Sequence, residues 1–430
     1  MKKLTAILMV LILIMSSTMV ANAQNTYEEP LLSEAEQFDM FFAELANEHG
    51  VEYASNYFRS IDALNTFATQ LPQISEGSPV FPDNFGGAYI DGNGIAVLLL
   101  TRGQAYSIDS NTEATLSQLQ NSLGVMTRHV NFSYNELRLT IDRLNHLLAA
   151  DYVYPALQNA SAWYIDTAGN RVVVELTDYS REAIHLFNTT IMHSPVIQFE
   201  QAPARDGFDD EAILDINIDD VEMTPHNIRI LAAPGDGMRP RRQTENTSSI
   251  GYRASLNGVR GFITAAHAVR AGDEILSGTT RVGHVANESH IALANADAAF
   301  VTLYIGVDIS DNVDGMRISG ESIPYIWQGQ TIYHAGMVTG IRGATILGAG
   351  LTVPLYRNGI LVTTVINAIR TSYPSAPGDS GGIVFAWAGF GAGSTTPYGV
   401  VGITVGGNGT TSVVSTFPEI NRRLGTSLRW

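Results

Sequence analysis

The sequence predicts two unlike parts: an α+β region, then an all-β region with the strand pattern of an antiparallel barrel or sandwich. The first observation is periodicity. Upstream of about residue 200, apolar residues recur at helical spacing around two hairpin-like segments. Beyond Ile230, short apolar strands alternate with Gly, Asn, Ser and Asp turns. The second is charge: residues 24–229 hold 30 acidic and 9 basic residues, whereas 230–430 hold 12 and 14. The third is the run from Asp206 to Glu222, the most acidic in the chain, which lies where one pattern gives way to the other. A chain of 430 residues that is 45% hydrophobic has room for two or three domains with real cores.

Lys2 and Lys3 precede an apolar run, Leu4 to Met15, and Ala21-Asn22-Ala23 gives a small-x-small cleavage pattern. This is a signal peptide over 1–23, with Gln24 the first residue after cleavage. The apolar run is short for a membrane span, and no later stretch approaches the ~18 uninterrupted apolar residues a span needs. The expectation is a soluble, secreted protein with no membrane contact after processing. Cysteine is absent, which excludes a disulfide-stapled miniprotein, a cysteine nucleophile and a thiolate metal site. An acidic chain with no basic, aromatic-interleaved patch does not suit nucleic acid.

The helical stretches are Ser33 to His49, Ala54 to Gln70, Asn111 to Leu123 and Ser133 to Ala150. The last opens with a capping box, Ser133-x-x-Glu136, and places Leu137, Ile141, Leu144 and Leu148 on one face. Two hairpins follow the strand–turn–strand pattern: Ala88–Asp91 with Ile95–Leu100, and Ala162–Asp166 with Arg171–Leu176. Their spacing points to a duplicated α+β unit. In the acidic run, Asp215-x-Asn217-x-Asp219 imitates a calcium loop, but no glycine follows and no spaced glutamate closes it; it reads as a solvated linker.

Beyond Ile230, strands are expected over Ser249–Ala254, Gly261–Ala265, Ala298–Tyr304, Ile360–Ile366, Gly382–Trp387 and Tyr398–Val405. Ser415 to Leu424 reads as a closing helix with Pro418 in its first turn.

The chemistry lies in this second half. Gly378-Asp379-Ser380-Gly381-Gly382 sets a serine on a glycine turn, where its hydroxyl is exposed and main-chain amides converge on a point suited to an oxyanion. His267 ends an apolar strand after small residues, and Asp297 begins another. An acyl-transfer serine needs a general base, and that base needs a partner to fix its tautomer. The three residues occur in the order His, Asp, Ser within one all-β half. No HExxH metal spacing and no nucleotide loop is present, so no metal or cofactor is expected.

The motifs Thr264-Ala-Ala-His267, Asp297-Ala-Ala-Phe300, Gly378–Gly382 and Gly402-Ile-Thr-Val-Gly-Gly-Asn408 resemble the chymotrypsin-like serine proteases. Within that family the resemblance is to the bacterial secreted branch of α-lytic protease and the streptogrisins. It covers about Ile230 to Trp430. The upstream half resembles the long pro-region of that branch, through Tyr164–Asp166 and Asn170–Val174. The resemblance implies two six-stranded antiparallel barrels with the site between them. It implies His267 as general base then acid, Asp297 as its orienting partner, Ser380 as nucleophile, and the Gly378 and Ser380 amides as the oxyanion hole. Ser375, Pro377, Thr404, Val405, Gly406 and Gly407 are the expected substrate-binding residues, with Val405–Gly407 pairing as an edge strand with an extended peptide.

The implied protein is a monomeric secreted endopeptidase made as a zymogen. Its partners are peptide substrates and its own pro-region (24–229), which assists folding, inhibits, and is then removed from the catalytic domain (230–430). A catalytically silent, peptide-binding relative is the alternative.

Three departures from the family pattern carry consequences. No disulfide braces the loops beside the histidine and serine. Val405 stands where the family has a serine that bonds the catalytic aspartate. Asp379 has no arginine partner in Tyr333-His334-Ala335-Gly336, so a His334–Asp379 pair is expected. The walls of the primary pocket, 371–377 and 402–408, contain no charged residue, which points to apolar or small side chains as the preferred substrate residue. The mature start is expected near Glu222 to Ala232, with Arg239, Arg241 and Arg242 offering a later cut for a trypsin-like processor.

Overall fold

The computed structural model describes residues 32–72, 80–102, 110–121, 124–148, 154–203, 230–245, 247–288, 296–323, 325–357, 360–388 and 398–428. Residues 1–23, read above as a signal peptide, and the acidic run 206–222 lie outside them.

The upstream part opens with helices α1 (Glu34–His49) and α2 (Val51–Gln70). Then come β1 (Phe85–Ile90), β2 (Ala96–Thr101), α3 (Ser110–Gln120) and β3 (Val125–Val130). Helices α4 (Tyr134–Leu148) and α5 (Pro155–Gln158) lead into β4 (Ala160–Asp166), β5 (Arg171–Leu176), α6 (Arg181–Thr190) and β6 (Ile197–Gln201). The Ser133–Glu136 capping box forms: the Glu136 amide donates to the Ser133 hydroxyl at 3.3 Å, and the Ser133 amide donates to Glu136 at 2.6 Å.

Both hairpins form, β1–β2 and β4–β5, and β4 and β5 begin 75 residues after β1 and β2. Each hairpin is followed by a helix and a third strand lying parallel to the second. The duplicated unit is therefore a hairpin–helix–strand, and its third strand and second helix are what periodicity alone does not reveal.

The downstream part holds two barrels. The first is built from β7 (Ile230–Ala232), β8 (Gly237–Pro240), β9 (Ser248–Ser249), β10 (Arg253–Leu256), β11 (Val259–Ala265), β12 (Glu274–Ser277), β13 (Thr280–Glu288), β14 (Ala298–Leu303) and β15 (Val307–Ile309). Its main ladder runs β10-β11-β14-β13-β12-β8-β9, and β7 pairs in parallel with β15. Met238, Ile250, Phe262, Ile275, Val282 and Val301 fill its core.

Next come β16 (Asn312–Val313), β17 (Met316–Ser322), β18 (Thr331–Gly336), β19 (Gly340–Arg357), β20 (Ile360–Thr371), β21 (Ile383–Trp387), β22 (Tyr398–Gly407) and β23 (Ser412–Thr416). The second barrel closes on itself through the pairings β18-β19-β20-β23-β22-β21 and back to β18. Helix α7 (Phe417–Leu424), with Pro418 in its first turn, closes the chain, and β24 (Thr426–Ser427) returns to β10.

Strand alternation sends Ile332, Val384, Ala386, Val401 and Val414 into the second barrel's core. Tyr333, Phe385, Trp387 and Tyr398 point the other way, yet they too are buried. The upstream helices cover them: Phe41 lies 5.5 Å from Tyr333, 5.7 Å from Trp387 and 6.3 Å from Tyr398, ring centre to ring centre. Polar anchors ring this aromatic layer. The Thr331 amide donates to Tyr57 at 3.1 Å, Tyr333 donates to Glu44 at 2.6 Å, and Trp327 donates to Asn65 at 3.3 Å. Strand β4 adds to the edge of β19, and Arg370 makes a two-pronged ion pair with Glu175 (2.8 Å for one arm) while lying over Tyr164.

Candidate active site

His267 and Asp297 are brought together by register. Strands β11 and β14 pair antiparallel with Ala265 opposite Ala298, so β11 ends beside the point where β14 begins. His267 sits in the single 3-10 turn that follows β11, and Asp297 immediately precedes β14. The small buried residues Ala265, Ala266, Ala298 and Ala299 allow this approach. Asp297 accepts from the His267 amide at 2.9 Å with one oxygen and bonds the ring Nδ1 at 2.6 Å with the other. A carboxylate can only accept, so Nδ1 donates and the neutral ring's basic nitrogen is Nε2. Asp297 is fully buried and held at φ +44, a left-handed conformation that non-glycine residues rarely adopt.

Ser380 stands on the loop between β20 and β21 of the second barrel. Gly378 at φ +103 and Gly381 at φ +85 shape its turn. Gly381 is also pressed against the histidine strand: a Cβ there would stand 2.3 Å from Thr264 Oγ1 and 2.9 Å from the Ala265 nitrogen. The Ser380 hydroxyl donates to the Val405 carbonyl at 3.1 Å. Among the described residues, neither the Gly378 nor the Ser380 amide donates to an acceptor, as an anion-receiving pair requires.

The expected His334–Asp379 pair does not form. Asp379 is caged by neutral donors: the Val338 amide (3.0 Å), the Thr339 amide (3.1 Å) and hydroxyl (2.8 Å), the Ala376 amide (2.9 Å) and Tyr373 (3.3 Å). The first two come from the turn after β18, whereas His334 alternates into the barrel. There its Nδ1 meets Thr404 at 2.9 Å and its Nε2 meets Thr371 at 3.3 Å, and its ring stacks on Tyr373 at 4.0 Å. Burial pushes its pKa down to about 3, so the ring is neutral.

The expected substrate residues sort by what each side chain meets. Gly406 and Gly407 pair with Val413 and Ser412 along one edge. Gly407 lies tight against Ser375: a Cβ would fall 2.3 Å from the Ser375 hydroxyl. Pro377 is exposed. Thr404 turns its hydroxyl onto His334, and its main chain bonds Gly381 (2.7 Å) and Gly382 (2.9 Å). Val405 is buried in an apolar cluster with Leu351, Val365, Ala368 and upstream Ala162. A hydroxyl near the aspartate comes from elsewhere: Ser415 donates to the carbonyl of Ala296, the residue before Asp297. Sequence reading missed this role because it placed Ser415 at the start of the closing helix, whereas Ser412–Thr416 is strand β23 and the helix begins at Phe417.

Two of the three arginines offered for a later cut are tied into the first barrel, Arg241 on Glu274 (3.1 Å) and Arg242 on Asp273 (3.2 Å). Arg239 donates to the Gln243 carbonyl.

A double barrel carrying a histidine–aspartate pair on one side and a serine in a glycine turn on the other resembles the chymotrypsin-like class. Residues 135–202 match the family described as the Pro-like C-terminal domain. Streptogrisin-A of Streptomyces griseus is 29% identical over 163 residues, which are 37% of this chain and 48% of that protein, so about half the relative's length is matched. Among solved structures, Cellulomonas bogoriensis chymotrypsin is 28% identical, with 46% of this chain and 98% of that chain covered and a TM-score of 0.37. Nocardiopsis protease (NAPase) is 25% identical over 46% of this chain and all (100%) of that one, with a TM-score of 0.37. The chain resembles the bacterial chymotrypsin-like serine proteases of the streptogrisin and α-lytic type, with a Pro-like segment upstream.

Proposed function

We propose that the chain is a secreted serine endopeptidase made as a zymogen, with a signal peptide over 1–23, a pro-region over 24–229 and a catalytic domain over 230–430. The observation that carries this reading is the His267–Asp297 pair. The carboxylate holds both the main chain and Nδ1 of the histidine, which leaves Nε2 as the base.

In this mechanism the Ser380 hydroxyl leaves the Val405 carbonyl by rotation about its Cα–Cβ bond and gives its proton to His267 Nε2 as the oxygen attacks a peptide carbonyl. The oxyanion is received by the Gly378 and Ser380 amides. His267 then protonates the departing amine, and water, activated by the same ring, releases the acyl group from Ser380. The peptide lies as an added strand along Val405–Gly407, with Ser375, Pro377 and Thr404 bounding the primary pocket. The similarity to streptogrisin-A supports peptides as the substrate class. No metal or cofactor takes part in this scheme.

The upstream part is proposed to template the second barrel, which it covers, and to inhibit until cut. The pairing of Ile230–Ala232 with Val307–Ile309 supports a cut before Ile230. Mass and N-terminal sequencing of the exported product test the scheme. Wild type is expected as a chain beginning between about residues 222 and 230, and Ser380→Ala as a chain that keeps its upstream part. Wild type and variant both remaining full length would contradict it.

A further inference from the structure

The base and the nucleophile sit on different barrels, so something must set their spacing. An error of about 1 Å in such a site costs on the order of 10²-fold in rate. With no cysteine in the chain, a disulfide does not do this. Between the barrels at this point lies strand β9, the dipeptide Ser248-Ser249, which belongs to the first barrel and is fully buried.

Every polar group of Ser249 is engaged. Its amide donates to the Ser380 carbonyl (2.8 Å), and its carbonyl accepts from the Thr264 hydroxyl (2.9 Å), three residues before His267. Its own hydroxyl accepts from the Met337 amide at 2.9 Å and donates to the Gly378 carbonyl at 2.8 Å. An amide can only donate, so the single hydroxyl proton is directed at Gly378. Ser248 adds a second donor to the Ser380 carbonyl at 2.6 Å.

The Gly378 carbonyl belongs to the peptide joining Gly378 to Asp379. That peptide's N–H donates to Ala376 at 3.0 Å, so the Ser249 hydroxyl completes its restraint. On either side of it stand the Gly378 and Ser380 amides, the two oxyanion donors of the proposed mechanism.

We propose that Ser249 is a positioning residue: its hydroxyl locks the peptide between the two oxyanion donors and registers that loop against the histidine strand. This rests on the protease reading above. Ser249→Ala would leave the Gly378 carbonyl and the Met337 amide without their partner, free to turn that peptide away. The loss would be felt where charge develops on the substrate oxygen, not where the peptide is bound.

The test is steady-state kinetics of the processed enzyme on a peptide substrate, with affinity for a peptide boronate that mimics the tetrahedral state, and with thermal unfolding. Ser249→Ala is expected to lower kcat about 10- to 100-fold, below the ~10²–10³-fold loss of a whole oxyanion donor. KM should stay within about threefold, and boronate affinity should fall in parallel with kcat/KM. Folded Ser249→Ala with kcat within about twofold of wild type, or with only KM changed, overturns the proposal. Should Ser249→Ala fail to fold, Ser249→Cys, whose S–H is a weaker donor to the Gly378 carbonyl, decides: a kcat loss of about threefold or more with KM unchanged supports the proposal, and a smaller loss overturns it. A wild type that neither cleaves nor takes up a serine-directed fluorophosphonate overturns the protease reading, and this proposal with it.

Discussion

The two barrels are packed differently. In the first, strands β8, β10 and β12 bury residues toward one core and leave others partly exposed. In the second, β18 and β21 are buried along their whole length. One face of those strands fills the barrel; the other lies under Phe38, Phe41 and Phe58 of the upstream helices. Continuous apolar runs such as Ile383-Val-Phe-Ala-Trp387 are what strands buried on both faces require. The second barrel therefore has two cores, and the upstream part supplies half of the outer one. The barrel that owns the serine is the one the upstream part covers; the described hydrogen bonds between that part and the barrels end on residues 325–388.

Withholding the upstream part during folding should break this contrast most severely; the enzyme cut after folding keeps both barrels behind its unfolding barrier. A chain expressed from Ile230, never having folded against that part, is expected to lack the near-ultraviolet signal of Trp327 and Trp387, and its second barrel should exchange amides freely while the first keeps partial protection. Equal protection in both barrels would contradict the two-core account.

A smaller change is Phe41→Ala in the full chain. Deleting a fully buried aromatic costs about 3–5 kcal/mol, and hydrogen exchange should place that loss in β18, β21 and β22, with β11 and β14 unaffected. A loss spread evenly over both barrels would contradict it.

The gentlest probe is His334 inside the second barrel. Its folded pKa, near 3, lies below the ordinary histidine value near 6.5. Below pH ~6.5 the unfolded chain therefore binds a proton that the folded chain refuses, and stability falls as pH drops toward 3. The slope from this one group is at most about 1.4 kcal/mol per pH unit. His334→Gln is expected to flatten the acid side of the stability–pH curve and leave it unchanged above pH ~7. An unaltered acid limb would show that His334 does not titrate in this way.

What was legible in the chain was local. The four long helices, both hairpins and the closing helix carry their own periodicity, with a legible capping box at Ser133–Glu136, and His267, Asp297 and Ser380 each lie at a strand end or a glycine turn. Strands β3 and β6 were not legible, because Val125–Val130 is largely exposed and Ile197–Gln201 alternates weakly; each is a strand through its parallel neighbour. The partner of Asp379 was misread for a geometric reason. His334 and the Val338–Thr339 turn are close in sequence, but the pleat sends the ring into the barrel while the turn wraps the carboxylate. Val405 looked like a missing hydroxyl; Ser415 supplies one to Ala296 from another strand.

The central claim is that Ser380 is a nucleophile activated by His267. Labelling the processed protein with a fluorophosphonate and mapping the adduct by peptide mass spectrometry tests it most directly. The account predicts one adduct per chain, on Ser380, lost in Ser380→Ala and at least about 10³-fold slower in His267→Ala. An unlabelled wild type, or label that persists in Ser380→Ala, would contradict it.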